Sequence, residues 1–472
     1  MVGQVLKVEA ALLLLPLLVA GIYWESCAIP LLITAVIAFG ISLIMTVPIK
    51  AENKVIYAKE GFIIVALAWL LLSAIGALPF VISGEIPHYV DAFFETVSGF
   101  TTTGASILNN VEEMSHGLLF WRSFTHWIGG MGVLVFIMAV IPSASDRSIH
   151  ILRAEVPGPT MGKLVPRLKD TAKILYLLYI ALTILEIIFL LLGGMPLFES
   201  IVHAFGTAGT GGFGVKADSI AGYNPYLQWV ITIFMLAFGV NFNLYYLAML
   251  KRFRSIAKSG ELWCYLGIWA AATLLIVFDL SHVYDSLSVA FRDAAFQTSS
   301  IMTTTGYATA DFNMWPSLSK GILLVLMCIG ACAGSTGGGM KVSRIILLGK
   351  MIRRELRHML HPRSVGVVKF EGKKVDNATL SSVNAYLSIY IVLIVLIFVI
   401  LCLDGFDVET NLSATLACFN NIGPGLGMVG PTANYAGYSI FSKIVLSIAM
   451  LLGRLEIFPL LFAFIPSTWF KK

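Results

Sequence analysis

The chain has 472 residues, of which 58% are hydrophobic and only 12% are charged, and its mean hydropathy is +0.85. Globular proteins carry about 25% charged residues, so this composition excludes a soluble protein, a disordered chain and a secreted disulfide scaffold. The six cysteines lie in or beside apolar runs without a CxxC pair and are predicted to be small buried residues. The composition therefore indicates a polytopic membrane protein.

Apolar runs long enough to cross a membrane recur along the sequence. A helical span needs about 20 apolar residues, and by that measure the sequence predicts ten spans, at 9–25, 28–48, 61–82, 118–142, 172–193, 226–250, 262–280, 318–348, 384–404 and 437–464. The first two are separated so briefly that they are interpreted as a hairpin rather than a cleavable signal peptide. Four further segments are too short or too polar to cross, near 88–101, 196–208, 285–302 and 407–420.

Lysine and arginine are concentrated in four connecting stretches. These stretches, 50–59, 147–173, 251–258 and 341–374, hold 3, 6, 4 and 10 of them. If the spans alternate, all four stretches lie on one side, and their basic excess identifies that side as cytoplasmic, together with both termini. The net charge of +5 then comes mostly from basic residues that anchor the inner face. Such a face suits anionic lipids or a cytoplasmic partner and not a nucleic acid.

The four short segments match one another, and each lies between two spans on the opposite side. They read DAFFETVSGFTTTGA from Asp91, ESIVHAFGTAGTGGF from Glu199, DAAFQTSSIMTTTGY from Asp293 and TNLSATLACFNNIGP from Thr410. In this alignment they share a glycine, at Gly104, Gly212, Gly306 and Gly423. Two residues earlier stand Thr102, Thr210, Thr304 and Asn421, and six residues earlier stand only small residues, Ser98, Gly206, Ser300 and Ala417. The chain therefore contains four copies of one span–segment–span unit.

The shared pattern predicts a short helix followed by a non-helical loop at membrane depth. Three of the four segments begin with a carboxylate, which favours the positive end of a helix, and Thr410 is the exception. Irregular backbone at that depth survives only where protein buries it or where it lines a watery path. Because glycine adopts positive φ without steric cost, four such loops around one axis are predicted to form a ring of carbonyl oxygens that binds a dehydrated monovalent cation.

The segments have two other interpretations. Small residues and glycines also allow close helix packing without any ion site. Inverted repeats, which many secondary transporters use, need an odd number of spans in each unit. Here each unit has an even number, so all four share one orientation, as a pore along the membrane normal requires.

A glycine-dense stretch, GACAGSTGGGMK, interrupts the predicted span 318–348. It superficially resembles a phosphate-binding loop, but Lys341 comes one residue late and no Ser or Thr follows it. Such a stretch breaks a helix, and a broken helix within a membrane lines a cavity or is covered by protein. The alternative is a kinked, closely packed helix.

Arg454 lies deep in the predicted span 437–464. A central arginine costs at least about 2.5–3.5 kcal/mol on insertion scales and normally faces the protein interior. One interpretation is a structural ion pair with Glu186 or Glu456. Glu456 is the weaker local partner, because a residue two positions away does not face Arg454 on a helix. The other interpretation is a functional site.

Several of these motifs together resemble the Trk/Ktr/HKT superfamily of cation transporters. They are SGFTTTGA (98–105), GTGGF (209–213), TTTGY (303–307), NNIGPG (420–425), GACAGSTGGGMKVSR (330–344) and GRLEIFP (453–459). The resemblance covers essentially the whole chain, and the N-terminal hairpin is similar to the TrkH branch rather than the shorter KtrB branch. It implies a potassium-selective pore made of four M1–P–M2 units. It also implies a homodimer with one pore per protomer and a cytoplasmic ring of TrkA-type nucleotide-binding subunits.

The resemblance also assigns roles to individual residues. The implied selectivity filter comprises Thr102, Thr103, Gly104, Thr210, Gly211, Gly212, Thr304, Thr305, Gly306, Asn421, Ile422 and Gly423, with K⁺ held at the first two residues of each triplet. The implied gate comprises Gly334, Ser335, Thr336, Gly337, Gly338, Gly339 and Arg454, whose charge would repel cations or tether the closed loop. Relatives with serine at the position of Gly104 prefer sodium, so Gly104 indicates potassium.

The sequence thus predicts an all-α integral membrane protein with four parallel M1–P–M2 repeats in pseudo-fourfold arrangement around a pore. The expected parts are an N-terminal transmembrane hairpin at 1–50 and pore repeats at 51–145, 146–255, 256–360 and 361–472. It is expected to be a multi-pass protein of a bacterial or archaeal plasma (inner) membrane that conducts K⁺ passively, without an organic cofactor. One alternative is a symporter that couples K⁺ to H⁺ or Na⁺, for which Glu186 is the candidate carboxylate. A membrane enzyme is the other, but no acid–base or metal constellation supports it.

Overall fold

The computed structural model describes residues 1–47, 58–132, 168–364 and 366–466. Its helices are α1 (Val2–Leu12), α2 (Leu14–Ile22), α3 (Ala28–Thr46), α4 (Ala58–Gly76), α5 (Leu78–Ser83), α6 (Tyr89–Phe100), α7 (His116–Gly130), α8 (Leu168–Leu192), α9 (Leu197–Gly209), α10 (Pro225–Phe238), α11 (Phe242–Met249), α12 (Phe253–Ala257), α13 (Gly260–Leu280), α14 (Leu287–Met302), α15 (Ser317–Cys328), α16 (Val342–Leu360), α17 (Asn377–Leu401), α18 (Val408–Phe419), α19 (Ile440–Arg454) and α20 (Phe458–Phe464). Two short strands, β1 (Lys369–Phe370) and β2 (Lys373–Lys374), pair in an antiparallel hairpin. The predicted span ends and basic stretches at 48–57 and 133–167, and Lys471 and Lys472, lie outside the described residues.

The fold is mostly helical, and six of the described helical stretches are long and apolar enough to cross a membrane. They are Val2–Ile22, Ala28–Thr46, Glu60–Ser83, Ala172–Leu192, Gly260–Leu280 and Asn377–Asp404. Only 22% of the apolar window in Asn377–Asp404 is buried, and its exposed residues include Ile391, Val395 and Val399. Lipid tails suit such a face, because they are as apolar as leucine.

The four predicted short segments form the short helices α6, α9, α14 and α18. Each follows one long apolar helix, α4, α8, α13 or α17, and precedes another helix, α7, α10, α15 or α19. The C-terminal halves of the short helices are almost entirely buried. They therefore lie in the middle of the molecule, with the long helices around them.

The predicted span 226–250 is broken rather than continuous. α10 and α11 meet at an angle of 91° across residues 239–241. The break leaves backbone groups that need partners, and the glycine-dense stretch supplies them. The Cys332 amide donates to the Gly239 carbonyl at 3.0 Å, and the Phe242 amide donates to the Gly334 carbonyl at 3.0 Å. The Asn241 side chain caps α11 by accepting from the Asn243 amide at 2.9 Å.

Two other predicted spans are also interrupted. The span 318–348 divides into α15 and α16, separated by residues 329–341, hereafter the glycine-rich segment. The span 437–464 divides into α19 and α20, because Pro459 lacks an amide and its ring would clash with the preceding helical turn. Glu456 and Ile457 adopt positive φ at this junction.

Candidate cation-binding ring

The four short helices end in the same hydrogen-bonded C-cap. Its first bond joins the amides of Thr103, Gly211, Thr305 and Ile422 to the carbonyls of Ser98, Gly206, Ser300 and Ala417, in each case at 2.8 Å. The preceding residue donates to a carbonyl three positions earlier at 3.0 to 3.3 Å. This pair of bonds is the Schellman motif, which closes a helix with one left-handed residue. The small residues of the sequence alignment supply the backbone carbonyls that accept the longer-range bond.

The left-handed residue of each cap is not a glycine. Thr102, Thr210, Thr304 and Asn421 have φ values of 55°, 57°, 60° and 56°. A β-branched residue at positive φ is a genuine outlier, and a strained backbone of this kind costs about 1–3 kcal/mol for each residue. Sequence reasoning placed positive φ only at the glycines, and the threonine-rich motif gives no local signal for this conformation. Strained residues of this kind cluster at functional sites, and here the strain recurs at one position in three loops.

The shared glycines also adopt positive φ, two residues after the strained ones. Their φ values are 80° at Gly104, 77° at Gly212, 85° at Gly306 and 97° at Gly423. Left-handed residues thus alternate with one residue of ordinary φ, and such alternation turns successive carbonyls towards one side of the backbone. These carbonyls are the groups that replace an ion's hydration shell in a selectivity filter.

The four loops lie against one another in chain order and close into a ring. A β-carbon built on Gly104 would collide with the carbonyl oxygen of Gly211, and one on Gly212 with that of Thr305. One on Gly306 would collide with the Ile422 carbonyl, and one on Gly423 would lie 2.6 Å from the Thr103 oxygen. Each glycine therefore leaves room for the next loop, and the structure brings together all twelve residues of the predicted filter.

The fourth loop departs from the pattern in its side chain. The Asn421 amide donates to the Thr103 hydroxyl at 2.9 Å and to the Met450 carbonyl at 2.9 Å. The Thr103 and Thr305 hydroxyls pair with those of Thr101 and Thr303, each at 2.8 Å. Asparagine thus ties the fourth loop to the first loop and to α19.

Asp91 and Glu199 lie in the first turns of α6 and α9, but Asp293 lies six residues after the start of α14, so the prediction of a carboxylate at the start of that helix is wrong. The fourth short helix, α18, has Thr410 in place of the acidic residue. Asp407, three positions earlier, accepts from the Thr410 amide at 3.1 Å and from the Thr410 hydroxyl at 2.5 Å. These bonds to the charged form hold the pKa of the exposed Asp407 carboxyl below its ordinary value. The carboxylate is therefore displaced by one helical turn.

The two ends of the ring differ. A polar cavity of about 150 Å³ lies at one end and touches all four ring glycines, Gly104, Gly212, Gly306 and Gly423. The glycine-rich segment lies at the other end, where the Gly338 amide donates to the Thr304 hydroxyl at 2.6 Å. A β-carbon on Gly338 would lie 2.6 Å from the Asn420 carbonyl. An ion that leaves the ring at its threonine end would meet this segment.

Arg454 joins this segment to α7 by binding backbone carbonyls of both. It donates to Thr336 at 2.8 Å and, on α7, to Gly129 and to Gly130, the latter at 2.8 Å. Glu456, one of the two expected partners of Arg454, accepts from Arg344 at 2.5 Å. The adjacent Gly453 is required because a β-carbon there would collide with the Phe419 carbonyl. The arginine is therefore carried close to the ring by α19.

Sequence reasoning missed two further residues that hold the glycine-rich segment. The Glu261 carboxylate on α13 accepts from the Ala333 amide at 2.7 Å. The ammonium group of Lys341, which is 1% exposed, donates to the Gly337 carbonyl within the segment. A single acidic residue at the start of an apolar span was the available signal for Glu261. Over the described residues, no group of three His, Cys, Asp or Glu side chains is placed to hold a metal ion.

A match to the TrkH family, described as a cation transport protein, covers residues 30–472. The chain belongs to this family. It is 36% identical over 476 residues to the Trk system potassium uptake protein TrkH of Salmonella typhimurium, covering 99% of this chain and 98% of that protein. It is 34% identical over 475 residues to the Trk system potassium uptake protein TrkG of Escherichia coli K12, covering 99% and 97%.

The crystal structure of the potassium transporter TrkH from Vibrio parahaemolyticus superposes on this chain with a TM-score of 0.90. The two are 34% identical, and the match covers 99% of this chain and 98% of that one. The predicted resemblance to the superfamily is therefore confirmed, as are a helical membrane fold and its TrkH branch. The family's description as cation transport proteins is consistent with a chain that is not an enzyme.

Proposed function

We propose that this chain is a potassium-selective channel that lets K⁺ enter the cell down its electrochemical gradient. The observation that carries the proposal is the closed ring of four loops with alternating φ, a backbone that suits carbonyl oxygens facing one axis. Carbonyl rings of this kind select K⁺ by replacing its hydration shell. The relatives reported above are potassium uptake proteins by name, and potassium is therefore the proposed permeant ion.

The short helices supply favourable electrostatics for a cation. Each ends in one of the four ring loops, and the C-terminus of a helix carries roughly half a negative elementary charge. We assign K⁺ ligation to the residues that precede the ring glycines, Thr102, Thr103, Thr210, Gly211, Thr304, Thr305, Asn421 and Ile422. The ring closure supports four M1–P–M2 units in pseudo-fourfold arrangement, at 51–145, 146–255, 256–360 and 361–472, after the hairpin at 1–50.

The gate in this proposal is the part of the glycine-rich segment from Gly334 to Gly339, tethered by Arg454. Its contacts with Thr304 and Asn420 place it at the threonine end of the ring. Several glycines there permit a compact coil that can move without dragging large side chains. Opening would require the contacts of Arg454 to break.

The proposed setting is a bacterial or archaeal inner membrane with both termini in the cytoplasm. Membrane lipids surround the outer helices, and the proposed assembly is a homodimer. A cytoplasmic TrkA-type nucleotide-binding ring is the proposed regulator, and the relatives' names, which assign them to a Trk system, support it. No nucleic acid is part of the proposal.

Flux through the purified chain in liposomes, with K⁺ or Na⁺ as the sole permeant ion, tests the function. Selective K⁺ flux driven by voltage alone is the expected result. Gly104→Ser should lose the preference for K⁺, because its side chain would displace the Gly211 carbonyl. Flux that requires a proton or sodium gradient would overturn passive conduction.

Coupled symport is the second candidate, and one observation favours it. Glu186 is fully buried on α8, and intramembrane carboxylates serve as proton relays in pumps and transporters. Glu186→Gln should leave K⁺ flux unchanged if the chain is a channel. Loss of flux together with loss of a proton-gradient requirement would favour symport.

A further inference from the structure

A buried ion pair lies behind the first two ring loops. The Arg122 Nε atom on α7 is 2.6 Å from the Glu95 Oε1 atom on α6. Glu95 is 1% exposed and Arg122 is 3% exposed. Neither residue belongs to the proposed filter or gate.

Glu95 fixes the backbone that leaves the first loop. Its carboxylate accepts from the Ser106 hydroxyl at 3.0 Å and from the Ile107 amide at 2.9 Å. These two residues follow Gly104 almost directly along the chain. The carboxylate therefore joins a short helix to the segment on the far side of its own ring loop.

Arg122 extends the connection to the second loop. Its guanidinium carbon lies 3.4 Å from the centre of the Phe213 ring, and its Nη1 atom donates to the Gly214 carbonyl at 3.4 Å. Phe213 and Gly214 directly follow the ring glycine Gly212. The pair therefore clamps loops 1 and 2 together where both leave the ring, and Arg122 itself lines the cavity at the glycine end.

At the other three junctions, backbone and neutral side chains make most of the contacts between the segments that leave the ring, with one carboxylate contact, from the Thr432 hydroxyl to Asp311 at 3.4 Å. The Tyr307 hydroxyl donates to the Phe213 carbonyl at 3.1 Å, between loops 3 and 2. The Asn313 side chain accepts from the Gly427 amide at 2.9 Å, between the segments after loops 3 and 4. The Tyr435 amide donates to the Ser106 carbonyl at 2.8 Å, between the segments after loops 4 and 1. Ion pairs also join neighbouring repeats elsewhere, Lys443 on α19 to Asp91 on α6 at 2.6 Å and Lys320 on α15 to Glu409 on α18 at 3.3 Å. Each includes a partly exposed carboxylate, and within the described residues neither pair contacts the backbone that leaves the ring.

Stability alone does not account for a buried ion pair between Glu95 and Arg122. Replacing a buried ion pair by packed apolar residues is often neutral or stabilising, because the desolvation of two charges offsets their attraction. Removing one partner, by contrast, costs about 3–5 kcal/mol and leaves a buried charge. A charged pair with a planar guanidinium fork fixes geometry more strictly than a tyrosine or asparagine contact does.

We propose that Glu95 and Arg122 are specificity-determining positioning residues, which hold loops 1 and 2 at the separation that suits K⁺. A smaller ion such as Na⁺ is held well only if the carbonyls move inwards. The clamp resists that movement at one side of the ring. This inference rests on the proposed potassium conduction.

The test measures the reversal potential of the full chain in planar bilayers with K⁺ on one side and Na⁺ on the other. The reversal potential reports the K⁺/Na⁺ permeability ratio, which does not depend on how many pores are open. Glu95→Gln should lower the ratio by about tenfold, the factor that corresponds to roughly 1.4 kcal/mol. Glu409→Gln, which removes the same charge from the Lys320–Glu409 pair, whose carboxylate is exposed, is the charge-matched control and should keep the wild-type ratio.

Glu95→Asp is a second variant that keeps the test valid where Glu95→Gln does not fold. It keeps the charge but withdraws the carboxylate by one methylene, so the pair should survive with a looser clamp and a smaller fall in the ratio. Size-exclusion profiles in detergent identify which variants fold. An unchanged ratio in every folded variant at Glu95 would overturn the inference while leaving potassium conduction intact. A wild-type chain that shows no preference for K⁺ would instead overturn the proposed function.

Discussion

The ring and the glycine-rich segment both consist of irregular backbone rich in glycine, yet they are held in opposite ways. Each ring loop is fixed by amides that donate to its own short helix, three or five residues back. The segment is fixed by other elements, through Thr304, Glu261 and Arg454. A loop held by its own helix keeps its shape whenever that helix is present. A segment held by side chains of other elements can shift without unfolding the short helices, and this difference suits the proposed fixed filter and movable gate.

The largest expected effect is at the ring. Gly306→Ala should reduce K⁺ flux by more than about tenfold, the factor that a penalty of roughly 1.4 kcal/mol produces. Its methyl group would collide with the Ile422 carbonyl, and the φ of 85° disfavours any residue but glycine. Flux of K⁺ into liposomes, normalised to the amount of inserted protein, is the measurement.

Gly321→Ala is the matched control for that substitution. Gly321 lies on α15, and a β-carbon there meets nothing within 4 Å. Alanine in a helix interior is favoured over glycine by about 1 kcal/mol, so flux should be unchanged and stability slightly higher. Normal flux through the Gly306 variant would contradict a ring of closely packed loops.

The next effect is at the tether of the segment. Arg454→Ala removes the bonds to the carbonyls of Thr336, Gly129 and Gly130. Hydrogen bonds from a charged group contribute about 1.5–3 kcal/mol, so K⁺ flux should rise by roughly tenfold. The K⁺/Na⁺ ratio should stay constant, because the ring does not depend on this side chain. Arg254→Ala, at an exposed position on α12, should change neither quantity, and a changed ratio in the Arg454 variant would mean that filter and gate are not separate.

A smaller effect is expected where a single carboxylate holds the segment. Glu261→Gln keeps an oxygen that can accept from the Ala333 amide but removes the charge. A neutral bond is weaker than a charge-assisted one by about 0.5–1.5 kcal/mol, so flux should rise by only a few-fold. Stopped-flow uptake of thallium, with Glu261→Asp beside it, resolves a change of this size. A fall in flux would show that the carboxylate supports the open form instead.

The smallest effect on conduction is expected at the start of the fourth short helix. Asp407 is an N-cap residue with a lowered pKa, so its stabilising contribution is present at neutral pH and is lost as pH falls through the folded-state pKa. Asp407→Ala should lower the unfolding free energy by about 1 kcal/mol at neutral pH and leave the K⁺/Na⁺ ratio unchanged. Thermal unfolding in detergent, repeated in steps down through the acid range, is the measurement. Asp407→Asn should remain capped but lose this part of the acid sensitivity, and identical acid profiles for both chains would exclude the assignment.

The ring was predictable from sequence because its geometry is local. A glycine, a hydroxyl or amide residue and a small residue recur at fixed spacings, and these residues occupy equivalent positions in and beside each helix cap. Fourfold repetition then made the pattern distinguishable from ordinary helix packing. The conformation of Thr102, Thr210 and Thr304 was not predictable, since β-branched residues ordinarily avoid positive φ.

The interrupted helices and the partners of charged residues were not predictable in the same way. Apolarity across 226–250 gives no sign of the 91° bend, because the groups that stabilise the break come from the glycine-rich segment about 90 residues further along the chain. Arg454 likewise binds carbonyls 118 and 324 positions away. Contacts between residues so far apart produce no recurring spacing that could be recognised in the sequence.

Closure of the ring has a consequence for the order in which this protein assembles. The contact that ties the fourth loop to the first, from Asn421 to Thr103, joins residues 318 positions apart. Contacts between distant residues form late, since the intervening chain must first be confined. The long helices can insert one after another during synthesis. The first loop, however, lacks its contact with the fourth loop until almost the whole chain has been made. In this order of assembly most of the membrane helices form first, and the proposed ion site is completed only when the last quarter of the chain arrives.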